Sequence, residues 1–117
     1  MNDPTPDSLL PLPTGVFHIL IALADRDRHG YSIMQDVAAR TAGKVRLSAG
    51  TLYSSIRRML EQGLIEELAE SPDPLSKDER RRYYRLTRFG RRAAAAEVER
   101  LNAMVRQARA TGLVPGA

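Results

Sequence analysis

The stretch Leu47–Ile65 reads LSAGTLYSSIRRMLEQGLI, a helix with both ends written into it. Ser48 stands just before the periodic segment, where its hydroxyl can accept a hydrogen bond from an otherwise unpaired first-turn N–H. Leu52, Ile56, Met59 and Leu60 then recur at steps of four, three and one, which lines them up as one apolar stripe facing a core. Gly63 follows where a left-handed cap residue is wanted, and Leu64 and Ile65 can fold back onto the helix end. The other face carries Thr51, Ser54, Ser55, Arg57 and Arg58, with no acid before Glu61. Short hydroxyls beside guanidinium groups suit phosphates and base edges.

Upstream, Met1 to Pro13 holds four of the seven prolines and reads as an irregular arm. Thr14 is a plausible N-cap for a first helix to about Asp25, in which Val16, Phe17, Ile19, Leu20, Ile21 and Leu23 are apolar nearly all round. A helix of that kind is buried or shared with a second chain. Asp25 to Gly30 is a polar break. A second helix, about Gly30 to Thr41, buries Tyr31, Ile33, Met34, Val37 and Ala38, and Gly43 ends it. Lys44 to Leu47 is a short extended piece.

Downstream, Leu64 to Glu70 fits a half-exposed strand, and Ser71 to Glu79, with Pro72 and Pro74, reads as a loop. Arg81 to Leu86 alternates, with Tyr84 and Leu86 on one side and Tyr83 and Arg85 on the other. Thr87 caps a last helix running to about Thr111, where Gly112 stops it. Ala94, Val98, Leu101, Val105 and Ala108 are spaced 4, 3, 4, 3 along it, a heptad seam. With no other element left to cover that seam, it predicts a partner chain. The fold class is mainly α with a small β-hairpin: a winged helix-turn-helix plus a C-terminal dimerisation helix. The expected organisation is an irregular N-terminal arm over 1–13, a winged-helix DNA-binding domain over 14–87, a dimerisation helix over 88–111 and a tail over 112–117.

At 117 residues the chain is about one domain, and 43% apolar with 27% charged residues is the balance of an ordinary folded protein. Zero cysteines exclude disulfides and Cys-based metal centres and fit a cytoplasmic setting. The longest apolar run, Gly15 to Ala24, is too short to span a bilayer, and no secretion signal precedes it. The net charge is +4 and the pI about 10. From Lys77 to Arg92, eight basic residues stand against Asp78 and Glu79, +6 in that window, while the rest leans negative. A localised cationic stripe implies an anionic partner, and nucleic acid before a membrane because no basic helix face here is paired with bulky apolar anchors.

Each motif has a plain structural reading beside its functional one. Arg57 and Arg58 are guanine readers or phosphate clamps, or a solvated helix face; Ser48, Thr51, Tyr53 and Ser54 beside them favour DNA contact. Tyr53 divides between core packing and a phosphate contact through its hydroxyl. Lys77, Arg80, Arg81 and Arg82 are a wing's phosphate grip, or solubilising charge on an edge strand. Asp25 to Asp36 imitates a calcium loop, but His29 at position five and Asp36 in place of a bidentate Glu at twelve spoil it. No metal or other cofactor is expected. His29 is a turn residue before a glycine sooner than a pH sensor. Phe17 and Leu20 join the seam as dimerisation candidates, and with Met104 and Val105 they are also candidates to line an effector pocket. No nucleophile elbow or phosphate-cradling glycine loop supports catalysis, so no enzyme is expected.

His29-Gly30-Tyr31, Leu47-Ser48-Ala49-Gly50-Thr51-Leu52-Tyr53, Gly63-Leu64-Ile65 and Arg82-Tyr83-Tyr84-Arg85-Leu86-Thr87 together resemble the PadR family of bacterial winged-helix transcriptional regulators. The resemblance runs from about Val16 to Gly90, and the motifs in this order are highly specific. After Gly90 the chain is similar to the smaller members, which carry one dimerisation helix. The resemblance implies a homodimeric repressor, of a family in which small molecules such as phenolic acids or lipophilic drugs release some members from DNA. Ala49 replaces a common proline, and without any Trp the tryptophan-sandwich drug site of some small members cannot be carried over. The expected function is sequence-specific regulation of transcription at a pseudo-palindromic operator, as a repressor relieved by a small apolar or aromatic effector. A winged-helix protein-interaction module and a ligand-sequestering dimer without DNA binding are the alternatives.

Overall fold

In the computed structural model, residues 4–69 and 81–115 are described, and within them Ala49–Glu61 forms the third helix, α3, capped as its sequence requires. It packs on α1 (Thr14–Asp25) and α2 (Gly30–Arg40), and a small sheet closes the bundle. Leu52, Ile56 and Met59 of α3 are almost fully covered, against Ile19, Leu20 and Leu23 of α1 and Ile33 and Val37 of α2 in one cluster. Burying side chains of this size stabilises by about 1.5–3 kcal/mol each before entropy is counted. Gly63 adopts φ +76°, the left-handed value its place after the helix requires, and the Leu64 N–H donates back to the Met59 carbonyl at 3.0 Å.

The sheet corrects the expectation of a two-stranded hairpin. Strand β2 (Ile65–Glu67) pairs antiparallel with β3 (Tyr83–Leu86), and β3 pairs on its other edge with β1 (Arg28–His29), inside the segment expected to be a polar break. Arg28 anchors this strand: its guanidinium donates to the Ala22 carbonyl at 3.0 Å, Ser32 Oγ at 3.1 Å, Asp25 at 2.8 Å and Asp36 at 2.9 Å. Tyr83, on the side opposite Tyr84, is buried as well, and the His29 ring meets it edge-on at 5.3 Å.

The N-terminal segment also differs from a wholly irregular arm. Pro6–Leu9 form a 3-10 turn on α4 (Arg88–Ala110), and Leu12 enters the core. Its leucines outweigh its prolines: Leu9, Leu10 and Leu12 all pack against the core cluster. The Glu97 carboxylate, 2% exposed, takes a hydrogen bond from the Leu12 backbone and two from Arg100, at 2.6 and 2.9 Å. The Arg100 hydrogen bond, above all, holds this carboxyl below the usual glutamate range against the opposing effect of burial.

Thr87 caps α4 by accepting the Gly90 N–H at 2.9 Å, as its position before the helix predicts. At about 1.5 Å per residue the helix is about 35 Å long, so its distal half runs past the body. Val98, Leu101, Met104 and Val105 are consequently 36–54% exposed. No helix among the described residues is long and apolar enough to cross a membrane.

Candidate nucleic-acid interface

At about 3.6 residues per turn, Ser54 falls opposite the buried stripe of α3, flanked by Thr51 and Arg58 on one side and by Tyr53 and Arg57 on the other. All five are exposed. Ser48 Oγ accepts the Thr51 N–H at 3.2 Å and bonds Thr51 Oγ1 at 3.0 Å, which places both hydroxyls at the helix entrance. Ser54 Oγ donates to the Thr51 carbonyl at 3.1 Å, leaving its lone pairs outward.

Several arginines outside this face are neutralised by acids. Arg28, Arg40, Arg85 and Arg100 are tied to Asp25, Asp36, Asp27 and Glu97 at 2.6–3.4 Å. Arg57 and Arg58 have no hydrogen bond or ion pair among the described residues. Their guanidinium groups are presented to solvent by a rigid, capped helix, and that is what a groove reader needs.

Of the wing residues, Arg81 and Arg82 lie exposed at the start of β3, while Lys77 and Arg80 fall outside the described residues. Arg82 stands 3.7 Å from Glu67 in an exposed pair. Arg81 comes within 3.1 Å of His29 Nε2, and His29 Nδ1 accepts the Ser32 N–H at 3.1 Å to cap α2. Arg85, by contrast, is turned to Asp27.

Tyr53 is half exposed, with its hydroxyl resting on the first turn of α2. A Cβ on Gly30 would lie 2.5 Å from that oxygen, so the glycine is what admits the tyrosine. Tyr31, expected in the core of α2, is 59% exposed because it stands at the edge of the apolar stripe, where the first turn meets solvent. His29 and Tyr31 were thus not legible as neighbours of the α3 face; the His29-Gly30-Tyr31 motif was the available signal. With Tyr53, Arg81 and Arg82 they line a cleft of about 310 Å³ floored by Tyr84. Burial, then Glu67, pushes the Tyr84 hydroxyl above the usual phenol range and keeps it protonated.

The expected dimerisation residues divide. Leu20 is fully covered within its own chain and lies at the bottom of the groove that Phe17 lines. Phe17 lines an apolar groove of about 320 Å³ between α1 and α4, with Ile21, Ala94 and Val98 beside it and Arg91 as its one charged residue. Leu101 and Val105 continue outward as an exposed stripe, with Ala108 half-buried at its end. Met104 and Val105 lie beyond the groove, so the four residues expected around an effector do not form one pocket within a chain; helix length separates them.

Comparison with known proteins agrees with this architecture. Residues 19–96 match the transcriptional regulator PadR-like family. An uncharacterized protein of Lysinibacillus sphaericus is 32% identical over 73 residues, 62% of this chain and 64% of that protein, so the chain spans under two thirds of that relative's length. A transcriptional regulator from Clostridium thermocellum superposes with a TM-score of 0.69 at 24% identity, over 80% of this chain and 85% of that one. A PadR family transcription regulator from Clostridium difficile superposes with 0.68 at 24% identity, over 82% and 95%.

Proposed function

The chain belongs to the PadR-like family of transcriptional regulators, and from that premise we propose that it is a homodimeric repressor that sets two copies of α3 into successive major grooves of a pseudo-palindromic operator, about one helical turn apart. The observation carrying this reading is the α3 face itself. Thr51, Ser54, Arg57 and Arg58 stand exposed on one rigid helix, and neither arginine is engaged by an acid among the described residues. Ser48, Thr51, Tyr53, Ser54, Arg57 and Arg58 meet the duplex, with Arg81 and Arg82 gripping the backbone beside them.

The apolar stripe on α4 supports the dimer. Leu101, Met104 and Val105 of one subunit reach past its own body and fit the Phe17–Val98 groove of a second copy, which covers both surfaces at once. An apolar effector entering that groove competes with the seam, and a shift of α4 changes the spacing between the two α3 helices, which is the route to relief. A dimer seated on its operator represses by excluding polymerase from the same stretch.

Selection of bound sequences from a random duplex pool tests the proposal. Recovery of an inverted repeat with half-sites about 10 base pairs apart is expected. Recovery of nothing above background, or of a single unrepeated motif with the protein monomeric, overturns it.

A further inference from the structure

We propose that the turn leading into α3 is a further grip on the DNA backbone, in which Lys44 and Arg46 take phosphates of the strand passing the entrance of that helix. This rests on the DNA-binding reading above and adds to it a contact that neither the α3 face nor the wing supplies.

Residues 44–47 alternate in the folded chain. Val45 and Leu47 pack against the core, while Lys44 and Arg46 are exposed. The backbone that carries them is fixed: the Thr41 hydroxyl donates to the Val37 carbonyl at 2.9 Å and accepts the Val45 N–H at 3.0 Å, and the Gly43 N–H donates to the Ala38 carbonyl at 2.7 Å. Ala42, at φ +52°, and Gly43, at φ +78°, both take left-handed conformations in this turn. Alanine adopts that conformation only against a local cost, so the shape of the turn is held by its surroundings. Arg28 and Arg40, which flank α2, are tied to Asp36 at 2.9 and 2.6 Å. Neither Lys44 nor Arg46 has a side-chain hydrogen bond or an ion pair among the described residues.

Arg46 also walls a recess of about 350 Å³ against α2, where Tyr31, Gln35 and Ala38 follow one another along the helix and Met34 and Leu47 complete the lining. A guanidinium, a phenol hydroxyl and a side-chain amide are donors for phosphate and sugar oxygens. Met34, Ala38 and Leu47 offer apolar surface to deoxyribose carbons. Position then selects the occupant. Ser48 caps α3 at its entrance, and Arg46 stands two residues before it, within about 7 Å along the chain. A major groove is about 12 Å wide. With the entrance of α3 in the groove, the long Arg46 side chain reaches the backbone at its edge, and Lys44 follows the same strand outward. Contacts of this kind set the depth and angle of α3 without carrying sequence information.

The test uses the full chain, the selected operator and an unrelated duplex, with Lys44→Ala, Arg46→Ala and Arg46→Lys. Wild-type melting temperatures are expected, since both side chains are exposed; Arg46→Gln, which keeps the apolar stem, stands in should Arg46→Ala melt lower. Each alanine variant should weaken binding to both duplexes by a similar factor and lower the slope of log K against log salt by about 0.9, and Arg46→Lys should restore the slope. Backbone phosphates of one half-site are then replaced singly by neutral methylphosphonates. At one position the replacement should cost the wild type about tenfold, the scale of a lost hydrogen bond to a charged group, and Arg46→Ala much less. Unchanged slopes, or lowered slopes with strictly additive effects at every phosphate, overturn the grip but leave the regulator. A loss confined to the operator assigns Arg46 to a base edge and overturns the grip as well. A wild-type chain that selects no operator overturns both readings.

Discussion

Replacing Gly90 with alanine puts sequence rules and tertiary structure in opposition. Gly90 lies in the first turn of α4, where propensity alone credits Gly→Ala with up to about 1 kcal/mol of added stability. The fold says otherwise. A Cβ at Gly90 would overlap the Leu64 carbonyl oxygen and lie 2.9 Å from both the Leu64 carbonyl carbon and Leu86 Cδ1. That carbonyl accepts the Thr87 N–H at 3.1 Å and the Thr87 hydroxyl at 3.0 Å, the contacts that fasten α4 to the turn after α3. Relief of the overlap requires backbone movement, about 1–3 kcal/mol for overpacking, and weakens at least one of these bonds, about 1 kcal/mol more. Net of the propensity gain, the loss is about 2 kcal/mol, or a fall in Tm of about 8 °C for a domain of this size. Thermal unfolding at fixed protein concentration measures it. Gly50→Ala is the control, since an added Cβ there meets nothing within 4 Å, and it should be neutral or stabilising. A Gly90→Ala protein that melts at or above the wild-type temperature refutes the reasoning.

Arg57→Ala and Arg58→Ala should each weaken specific operator binding by about tenfold or more, on the scale of 1–3 kcal/mol for a base contact, with sedimentation still showing a dimer; anisotropy titrations with unchanged affinity would count against the α3 reading. Removing Arg82 should lower the slope of log K against log salt by about 0.9, and an identical slope would detach the wing from the phosphates. Leu101→Asp with Val105→Asp should give folded monomers with poor operator affinity, whereas a dimer of normal mass would remove the seam from the interface. Glu97 titrates in the fold below its ordinary value of 4.5, so its contribution is complete above about pH 4.5 and disappears as pH falls through the depressed value. Glu97→Gln should therefore show a lower urea midpoint than wild type at pH 7, with the gap closing in acid; a gap independent of pH would exclude the linkage.

Much of the fold was legible because its signals are local. Ser48, Thr87 and Gly63 act on backbone groups within a few residues, and the α3 and α4 stripes follow from helical periodicity. The errors share one cause, contacts between distant segments. Arg28–His29 is too short and polar to announce a strand, and becomes one because β3 and the Arg28 clamp hold it. Alternation sets Tyr83 opposite Tyr84 but cannot foresee that both sides are covered there. Tyr31 was misplaced for the complementary reason: a helix entrance does not say how far its first turn protrudes.

By itself the sequence determined the winged-helix class, the family and the face of α3, since caps, periods and motifs are properties of neighbouring residues. Tertiary structure alone decided that His29 and Arg81, 52 residues apart, meet in one cleft with Tyr53, and that Glu97 is sealed under Leu12. Such meetings depend on how helices and strands pack in three dimensions, and chain order does not encode that distance by distance.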